Sequence, residues 1–283
     1  MELLTPAKIN LFLRITGRRA DGYHELDSVF LPVSLFDRIE IEAGDAETSA
    51  VIIHSNSPDI PLDDTNLAAR AARLFMNEKG LRWRLEIYLH KKIPAGAGLG
   101  GGSSDAGAVL RLMAQLHGID PSQLAPLALQ LGADVPFFLD PRPARVAGIG
   151  ERIEYLEPEC RSHLAIGIPP IAVSTAEVYR HLEPRKWSGP GPANLPETLE
   201  SLCAAPNLLI NDLESVALVR YPLIAEVKAQ FQNLGAAGTL MSGSGSAVFA
   251  LFGSAREAAR AVESAAARMP ETRFFTAWVL GAG

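Results

Sequence analysis

The sequence predicts an α+β protein with two domains, and three observations support this fold class. Strand-like segments come first, helical segments follow, and strand-like segments return near the end, which favours α+β layers over repeating βαβ units. The chain has 283 residues, a length typical of two domains. Apolar residues make up 48% and charged residues 20%, as in globular proteins. We place the boundary near residue 155, which gives domains 1–155 and 156–283.

Short apolar segments, most of them alternating with polar residues, predict the strands, because side chains alternate across a sheet. Asp21 and Gly22 mark a turn between the first two strands. A helix is expected after the candidate N-cap residues Asp64 and Thr65, and Gly80 is its expected end. The predicted strands are residues 8–14 (KINLFLR), 38–42 (RIEIE), 84–91 (RLEIYLHK), 247–252 (AVFALF) and 274–280 (FFTAWVL).

Further helices are predicted by helical periodicity. The second helix ends at Gly118, because glycine readily adopts the left-handed conformation that terminates helices. The third begins at Asp120 and ends at Gly132, and Pro126 is expected to kink or shorten it. A last helix is expected over 257–267. The residues expected on the apolar face of the second helix are Val109, Leu112, Met113 and Leu116.

The charge balance argues against large anionic partners. Lys and Arg number 26 and Asp and Glu 32, a formal net charge of −6, which argues against a broad surface for nucleic acid or an anionic membrane. A phosphorylated small ligand needs only a local positive site.

The sequence shows no secretory signal pattern and no run of ~18 apolar residues, and Cys160 and Cys203 have neither metal-ligand spacing nor a disulfide framework. We therefore expect a cytoplasmic protein, with an exposed loop over 185–196.

A glycine-rich loop between a predicted strand and a predicted helix is the most informative segment. Glycine lets the backbone approach a ligand without contact from a Cβ atom. The helix that follows offers unpaired N–H groups at the positive end of its dipole, so the segment is suited to bind phosphates. The loop candidates are Pro94, Ala95, Gly96, Ala97, Gly98, Leu99, Gly100, Gly101, Gly102, Ser103 and Ser104.

Two common nucleotide-binding patterns fit this loop poorly. A P-loop needs a lysine after its last glycine, and none is present. The pattern G-x-G-x-x-G is formally present, but the acidic residue at the expected spacing, Asp120, lies between two predicted helices, which argues against a dinucleotide fold. Ser103 and Ser104 are candidates to cap the helix, to bind phosphate or to help place Mg²⁺. A second loop, 242–246 (SGSGS), either helps to close the same phosphate site or forms an ordinary turn.

Several residues are candidates for chemistry, each with a common structural alternative. Asp134, in a short break between helices, is either a functional carboxylate or a residue that caps a turn. Lys8, in a predicted strand, is either a solvated face residue or a partner that polarises an acceptor oxygen. Tyr23 and His24, just after the first turn, form either a surface pair or a platform for a flat ring.

Three motifs, in this order along the chain, resemble those of the GHMP kinase superfamily, named for galacto-, homoserine, mevalonate and phosphomevalonate kinases. They are residues 6–11 (PAKINL), 94–104 (PAGAGLGGGSS) and 240–249 (LMSGSGSAVF). Four segments are similar to one branch of the superfamily, whose acceptor carries a cytidine diphosphate. These segments are 6–13 (PAKINLFL), 17–26 (GRRADGYHEL), 98–106 (GLGGGSSDA) and 131–138 (LGADVPFF).

The resemblance implies a two-lobed α+β GHMP kinase fold with its substrates in the cleft between the lobes. The implied N-terminal lobe is like domain 2 of ribosomal protein S5, and the implied C-terminal lobe is ferredoxin-like. The implied activity is transfer of the γ-phosphate of ATP to the 2-hydroxyl of a methylerythritol linked to cytidine diphosphate, in non-mevalonate isoprenoid synthesis. By motif position, Asp134 is similar to the family's catalytic base and Lys8 to its partner. The implied substrate-binding residues are Asn10, Tyr23, His24, Tyr179, Gly243 and Ser244, with the two tyrosines on the faces of the cytosine and the histidine at its edge.

The resemblance also implies ATP and Mg²⁺, and the motifs leave the protein ligands of Mg²⁺ open. The expected partners are small molecules, with neither nucleic acid nor membrane, and the expected state is a monomer or weak homodimer. Three alternatives stay open: a homoserine or mevalonate type of GHMP kinase, a non-catalytic nucleotide-binding module, and an NAD-binding oxidoreductase. Tyr23 and His24 favour a nucleotide-bearing acceptor, while the presence of both Lys8 and Asp134 argues against a module without activity.

Overall fold

The computed structural model describes residues 1–156, 162–192 and 208–281. Cys160, Cys203 and the end of the 185–196 segment lie outside the described residues. Packing divides the chain into two compact units, each assembled from several segments. Unit 1 comprises Met1–Ala7, Leu35–Ala95 and Gly100–Pro141, and unit 2 comprises Lys8–Ser34, Gly96–Leu99 and the described residues from Arg142 onward.

The first two strands are much longer than their periodicity predicts, and each contributes residues to both units. Strand β1 spans Glu2–Arg18 and strand β2 spans His24–Asp45. The predicted turn between them is confirmed, because Arg19 N–H donates to the carbonyl of Tyr23 at 2.8 Å. Gly22 lies in this turn with φ = +91°, a conformation that favours glycine.

Unit 1 contains a sheet of four strand segments, one of them the start of β1 paired with β2, and the helices that pack on it. Strand β3 (Ala50–Ser55) pairs in parallel with β4 (Trp83–His90), and β4 pairs antiparallel with the second half of β2. Strand β4 confirms the prediction for 84–91. Helices α1 (Leu67–Lys79), α2 (Gly101–His117) and α3 (Ala125–Leu131) share one buried core with these strands.

Helix α1 begins one residue later than expected. The N-cap is Asn66, whose Oδ1 accepts a hydrogen bond from Ala68 N–H at 2.8 Å. The predicted caps Asp64 and Thr65 are therefore wrong, and Thr65 instead donates to Asp63. The predicted end at Gly80 is confirmed by its left-handed conformation, with φ = +63°.

Helix α2 ends at Gly118 as predicted, with φ = +63°. Val109, Leu112 and Met113 are buried, but Leu116 is 44% exposed, so its placement on the buried face is wrong. The reason is that residues 115–118 are all exposed, since the last turn extends past the core. Periodicity alone does not indicate where a core ends.

Pro126 acts on the third predicted helix as expected. That segment is divided into a 3₁₀ turn over Pro121–Leu124 and helix α3. Pro126 stands in the first turn of α3, where a missing N–H costs little because that group has no intrahelical partner. Gly132 follows the helix as predicted, and a second 3₁₀ turn covers Pro136–Leu139.

Unit 2 contains two groups of strands. Strand β5 (Ala144–Gly148) pairs antiparallel with the first half of β2 and with β6 (Arg152–Tyr155). The second group has the order β10-β7-β9-β8, and all neighbours in it are antiparallel. These strands are β7 (His163–Ile168), β8 (Gly238–Met241), β9 (Val248–Phe252) and β10 (Arg273–Trp278).

Four helices complete the described part of unit 2, namely α4 (Thr175–His181), α5 (Glu214–Arg220), α6 (Pro222–Asn233) and α7 (Ala255–Arg268). Helix α7 and strands β9 and β10 confirm the predictions for 257–267, 247–252 and 274–280. Side chains such as Phe231, Val227 and Met241 form the buried core of this unit. Among the described residues, no helix has the length and apolar character needed to cross a membrane.

Candidate active site

The start of helix α2 forms the part of the glycine loop that belongs to unit 1. Gly100 is the N-cap and has φ = +73°, which explains why this position is a glycine. The first N–H groups of a helix have no intrahelical partner and carry the positive end of the dipole. A Cβ atom on Gly101 would lie 2.9 Å from Cγ2 of Ile93, so the helix start packs directly on the residue before the loop. This geometry is suited to hold an anion.

The two serines of the loop differ in their surroundings. Because Gly100 is the N-cap, the interpretation of Ser103 and Ser104 as capping residues is wrong. The hydroxyl of Ser104 is fully buried, lies 2.6 Å from Oγ1 of Thr5 and donates to the carbonyl of Pro6 at 2.7 Å. The hydroxyl of Ser104 is therefore hydrogen-bonded to residues of strand β1. Ser103 is half-buried, and its role as a phosphate ligand stays a prediction.

The middle of the glycine loop, residues 96–99, belongs to unit 2 and meets the second small-residue loop there. Ser242 Oγ donates to the carbonyl of Gly98 at 2.9 Å, and Ala247 N–H donates to the carbonyl of Ala97 at 3.0 Å. A Cβ atom on Gly98 would lie 2.2 Å from the carbonyl oxygen of Ser242. The structure thus brings together two segments that the sequence singled out separately.

Side chains from other parts of unit 2 hold the 242–246 loop in place. The amide of Asn211 donates to the carbonyls of Met241 and Gly243, both at 2.8 Å. The hydroxyl of Ser244 lies 2.7 Å from that of Thr175. Sequence reasoning missed Asn211 and Thr175 as supports, because no local pattern links them to a loop so distant in the chain.

Lys8 is buried in strand β1 and only 3% exposed, so the alternative of a solvated face residue is wrong. Its ammonium donates to Oδ1 of Asn10 at 2.6 Å and lies 4.6 Å from the centre of the Phe30 ring. Asn10 in turn donates to Ser28, whose hydroxyl donates to the carbonyl of Phe12. This chain of hydrogen bonds holds the ammonium in a buried setting of low dielectric constant.

Asp134 is half-buried in unit 1, in the turn between α3 and the following 3₁₀ turn. The N–H of Val135 donates to the carbonyl of Gly132 at 3.1 Å, which closes this turn. The predicted break between helices is therefore confirmed. Lys8 and Asp134 belong to different units, and their partnership stays a prediction.

Aromatic, aliphatic and arginine side chains line a cavity of ≈ 350 Å³ in unit 2. The ring of His24 lies 5.2 Å from that of Tyr179, tilted by 33°, and 5.7 Å from that of Trp187, in an edge-to-face arrangement. Tyr23 stands at the turn and is 64% exposed. The structure thus brings His24 and Tyr179 together, and their roles toward a cytosine stay predictions. Trp187 escaped sequence reasoning because it lies in a Pro- and Gly-rich segment without a motif, although an aromatic residue there is itself a signal.

The protonation of His24 suits recognition of a neutral base. Burial, and then the positive charge of Arg18, lower the pKa of His24. The imidazole is therefore neutral near pH 7. A neutral imidazole offers one N–H donor and one nitrogen acceptor, so it can read a polar ring edge.

Comparison with known proteins defines the class. The family models for the GHMP kinase N-terminal and C-terminal domains match residues 66–140 and 194–271. A crystal structure of a homoserine kinase from Cytophaga hutchinsonii, 18% identical, covers 99% of this chain and 94% of its own with a TM-score of 0.72, which shows a common fold. The chain belongs to the GHMP kinases and has their mixed α/β fold, so it is a small-molecule kinase.

Relatives with higher sequence identity show which family of GHMP kinases the chain belongs to. The 4-diphosphocytidyl-2-C-methyl-D-erythritol kinase of Syntrophotalea carbinolica is 42% identical over 94% of this chain and 95% of its own. That of Chlorobaculum tepidum is 40% identical over 93% and 92%. A crystal structure of 4-(cytidine 5'-diphospho)-2C-methyl-D-erythritol kinase is 40% identical, covers 100% of both chains and has a TM-score of 0.83. Within the GHMP kinases, the chain belongs to the family of 4-diphosphocytidyl-2-C-methyl-D-erythritol kinases.

Proposed function

We propose that this protein transfers the γ-phosphate of ATP to the 2-hydroxyl of 4-diphosphocytidyl-2-C-methyl-D-erythritol, a step in non-mevalonate isoprenoid precursor synthesis. The observation that carries the proposal is the cavity lined by a neutral His24 together with Tyr179 and Trp187. Full-length similarity to kinases named for this acceptor supports it. Homoserine and mevalonate lack a flat ring that would fill such a cavity, so these alternatives are not favoured.

The cytidine end of the acceptor would occupy the aromatic cavity. Stacking of a base on an aromatic side chain contributes ~1–3 kcal/mol. Tyr179 would supply one face of the cytosine, and Tyr23, which is exposed and lies between the lining residues Gly22 and His24 in the chain, would supply the other. His24 would read the edge of the cytosine, because its neutral ring can both donate and accept a hydrogen bond. Gly243 and Ser244, in the loop fixed by Asn211, would contact the rest of the acceptor.

The triphosphate of ATP would be held by the glycine loop, residues 94–104. Two observations fit a phosphate there. No atom lies within 4 Å of the Cβ position of Gly96, and the first N–H groups of helix α2, which begins at Gly101, have no intrahelical partner. Backbone N–H groups bind phosphate without a basic side chain, which agrees with a chain of net charge −6.

The chemistry requires a base and a positive charge. Asp134 would accept the proton of the 2-hydroxyl as its oxygen attacks the γ-phosphorus and ADP leaves. Lys8, held by Asn10, would stabilise negative charge that develops on the reacting oxygens. Asn10 would also lie close to the acceptor.

Mg²⁺ would accompany ATP and neutralise charge on its phosphates. In the described ranges, no three His, Cys, Asp or Glu side chains lie together in a way that could hold a metal ion. The proposal therefore assigns Mg²⁺ no protein ligand.

We extend the proposal to the folds and bounds of the two lobes and to the state of the protein in solution. We assign a ferredoxin-like arrangement to the C-terminal lobe, supported by the strand order β10-β7-β9-β8 with helices after β7 and β9. We also assign an N-terminal lobe like domain 2 of ribosomal protein S5 and lobes over 1–155 and 156–283. A cytoplasmic monomer or weak homodimer, with partners limited to small molecules, stays our prediction.

The test is an acceptor panel with ATP and Mg²⁺, in which ADP release is measured for the cytidyl acceptor, homoserine and mevalonate. The proposal expects turnover with the cytidyl acceptor alone. Equal turnover with homoserine or mevalonate would contradict the acceptor assignment. Tight ATP binding without turnover of any acceptor would favour the non-catalytic alternative.

A further inference from the structure

Three charged side chains are buried together in unit 1, outside the residues assigned to the reaction. They are Asp37 in strand β2, Lys91 just after strand β4 and Asp105 in helix α2, and their side chains are 0%, 4% and 5% exposed. The ammonium of Lys91 donates to Oδ2 of Asp105 at 2.6 Å and to Oδ2 of Asp37. One cation therefore joins two carboxylates from different elements.

The other oxygen of Asp37 acts on the backbone that leads into the glycine loop. Oδ1 accepts hydrogen bonds from the N–H groups of Lys92 at 2.5 Å and Ile93 at 2.9 Å. Pro94, the first residue of the loop, follows directly. Asp37 thus fixes the position at which the chain leaves strand β4.

Asp105 fixes the other end of the loop. It stands one turn into helix α2, whose first residue is Gly101. A Cβ atom on Gly101 would lie 3.6 Å from Nζ of Lys91 and 2.9 Å from Cγ2 of Ile93. The residues before the loop and the first turn of the helix after it therefore meet around a single ammonium group.

This arrangement is costly for stability. Replacing a buried ion pair by apolar residues of similar volume is often neutral or stabilising, because desolvation offsets the attraction. Oδ1 of Asp105 is buried and has no hydrogen-bond partner among the described residues. Burial above all raises the pKa of Asp105 to about 7. Burial by itself lowers the pKa of Lys91. The Asp105 and Asp37 carboxylates outweigh this effect, so the pKa of Lys91 is raised above its ordinary value. A cluster with this cost calls for a role other than stability.

We propose that Asp37, Lys91 and Asp105 are positioning residues, which hold the two ends of the glycine loop at the separation needed to bind the phosphates of ATP. The inference rests on the proposed function, because it assumes that this loop binds ATP. Preorganised groups bind more tightly because no free energy is spent on ordering them, and displacements near 1 Å are costly.

Asp37→Asn tests the proposal, because an amide has one acceptor oxygen and cannot serve both the ammonium and two N–H groups. We expect the KM for ATP to rise roughly tenfold or more, with the KM for the cytidyl acceptor within about twofold of wild type. Asp105→Asn keeps an acceptor for Lys91 and should raise the KM for ATP less. An Asp37→Asn enzyme with the wild-type KM for ATP, or with equal rises in both KM values, would overturn the proposal.

A matched control is Asp212→Asn in unit 2. Oδ2 of Asp212 also accepts two backbone N–H groups, from Ile15 at 2.7 Å and Ser188 at 2.9 Å, and neither of these residues belongs to the glycine loop. The proposal expects an unchanged KM for ATP in this variant, even if its melting temperature falls. A comparable rise in the ATP KM would show that general destabilisation is the cause and would overturn the inference.

A measurement on the wild-type enzyme covers the case in which Asp37→Asn does not fold. Hydrogen exchange without nucleotide should show the amides of Lys92 and Ile93 protected to the level of strand β4. Rapid exchange that slows only when ATP binds would overturn the proposal, since the loop ends would then not be held beforehand. A wild-type enzyme without kinase activity would contradict the proposed function, whereas an active one whose ATP KM is insensitive to Asp37→Asn would contradict only this inference.

Discussion

The hydroxyl of Ser242 donates to the carbonyl of Gly98 at 2.9 Å, and this bond joins two loops whose bonded residues are 144 positions apart in the chain. The carbonyl of Ser242 lies so close to Gly98 that a Cβ atom there would be only 2.2 Å away. Gly96, two residues earlier, has a similar left-handed backbone but no atom within 4 Å of its Cβ position. The two glycines therefore separate the effect of backbone conformation from that of close packing.

Gly98→Ala should destabilise the protein distinctly more than Gly96→Ala. Both changes place a Cβ atom on a left-handed residue, which costs about 1–2 kcal/mol. Only Gly98→Ala also forces the Ser242 backbone to move. Urea unfolding of the two variants measures the difference, and the KM for ATP should follow the same order. Equal losses would show that the contact between the loops does not restrict this position.

Tyr179→Ala should raise the KM for the cytidyl acceptor by roughly tenfold, because a stacked base loses ~1–3 kcal/mol of binding. The KM for ATP should stay near its wild-type value. Tyr88→Ala is a matched control, since Tyr88 also stacks on a histidine, His54, at 4.5 Å, but in unit 1. Steady-state kinetics with each substrate varied in turn would check this. A rise in both KM values for Tyr179→Ala would remove the residue from the acceptor site.

The KM for the cytidyl acceptor should be constant from pH 8 to about 6.5, the ordinary histidine pKa, and should rise only at lower pH. Burial and Arg18 lower the pKa of His24, so its neutral form persists below the pH at which an ordinary histidine gains a proton. Protonation would then replace an acceptor nitrogen by a second donor. His24→Asn should remove the rise at low pH. A rise that begins above pH 7 would contradict the role of a neutral His24.

Asp134→Asn should lower kcat by ~10²-fold or more if the carboxylate is the general base, with little change in the KM for ATP. The matched control is Asp120→Asn, because Asp120 caps the 3₁₀ turn in the same unit by accepting from Ser122 N–H at 2.9 Å. That control should reduce stability but not kcat. Single-turnover kinetics would separate the chemical step from product release. A wild-type rate in Asp134→Asn would assign the residue to its turn alone.

Asp105→Asn should change how stability depends on pH. Burial raises the pKa of Asp105 to about 7 in the folded protein, whereas an unfolded chain has an Asp pKa of ~3.9. The folded state therefore binds more protons between these values and loses stability as pH rises through that window. The variant should melt above wild type at pH 8, by about 2–4 °C for each 1 kcal/mol, and the gain should shrink at pH 5. A gain that does not vary with pH would contradict the shift.

The sequence predicted elements well where the signal is local. Alternation over 84–91 corresponds to strand β4 (Trp83–His90), and Gly80 and Gly118 end helices as expected. The cap of helix α1 was less predictable, because three consecutive residues have suitable side chains. The choice of Asn66 follows from its second bond, in which Nδ2 donates to the carbonyl of Pro61 at 2.7 Å. Only the folded loop shows that bond.

For the candidate site, the sequence alone did not show which residues are buried, because their burial depends on segments far away in the chain. The resemblance identified Lys8 and His24, but the residue types alone favoured surface roles for both, since burial depends on what covers a strand. Trp187 and Lys91 belong to no motif. Their surroundings are built from segments far apart in the chain, so local patterns do not reveal them.

The burial of Lys91 makes two neighbouring lysines chemically different. The side chain of Lys91 is only 4% exposed, and its partners Asp37 and Asp105 stabilise its protonated form. Lys92, in contrast, is exposed. Acylating reagents require an accessible amine without its proton. Lys92 should therefore be modified in the folded protein while Lys91 is spared, so labelling of Lys91 would report the opening of unit 1 at a single, defined atom.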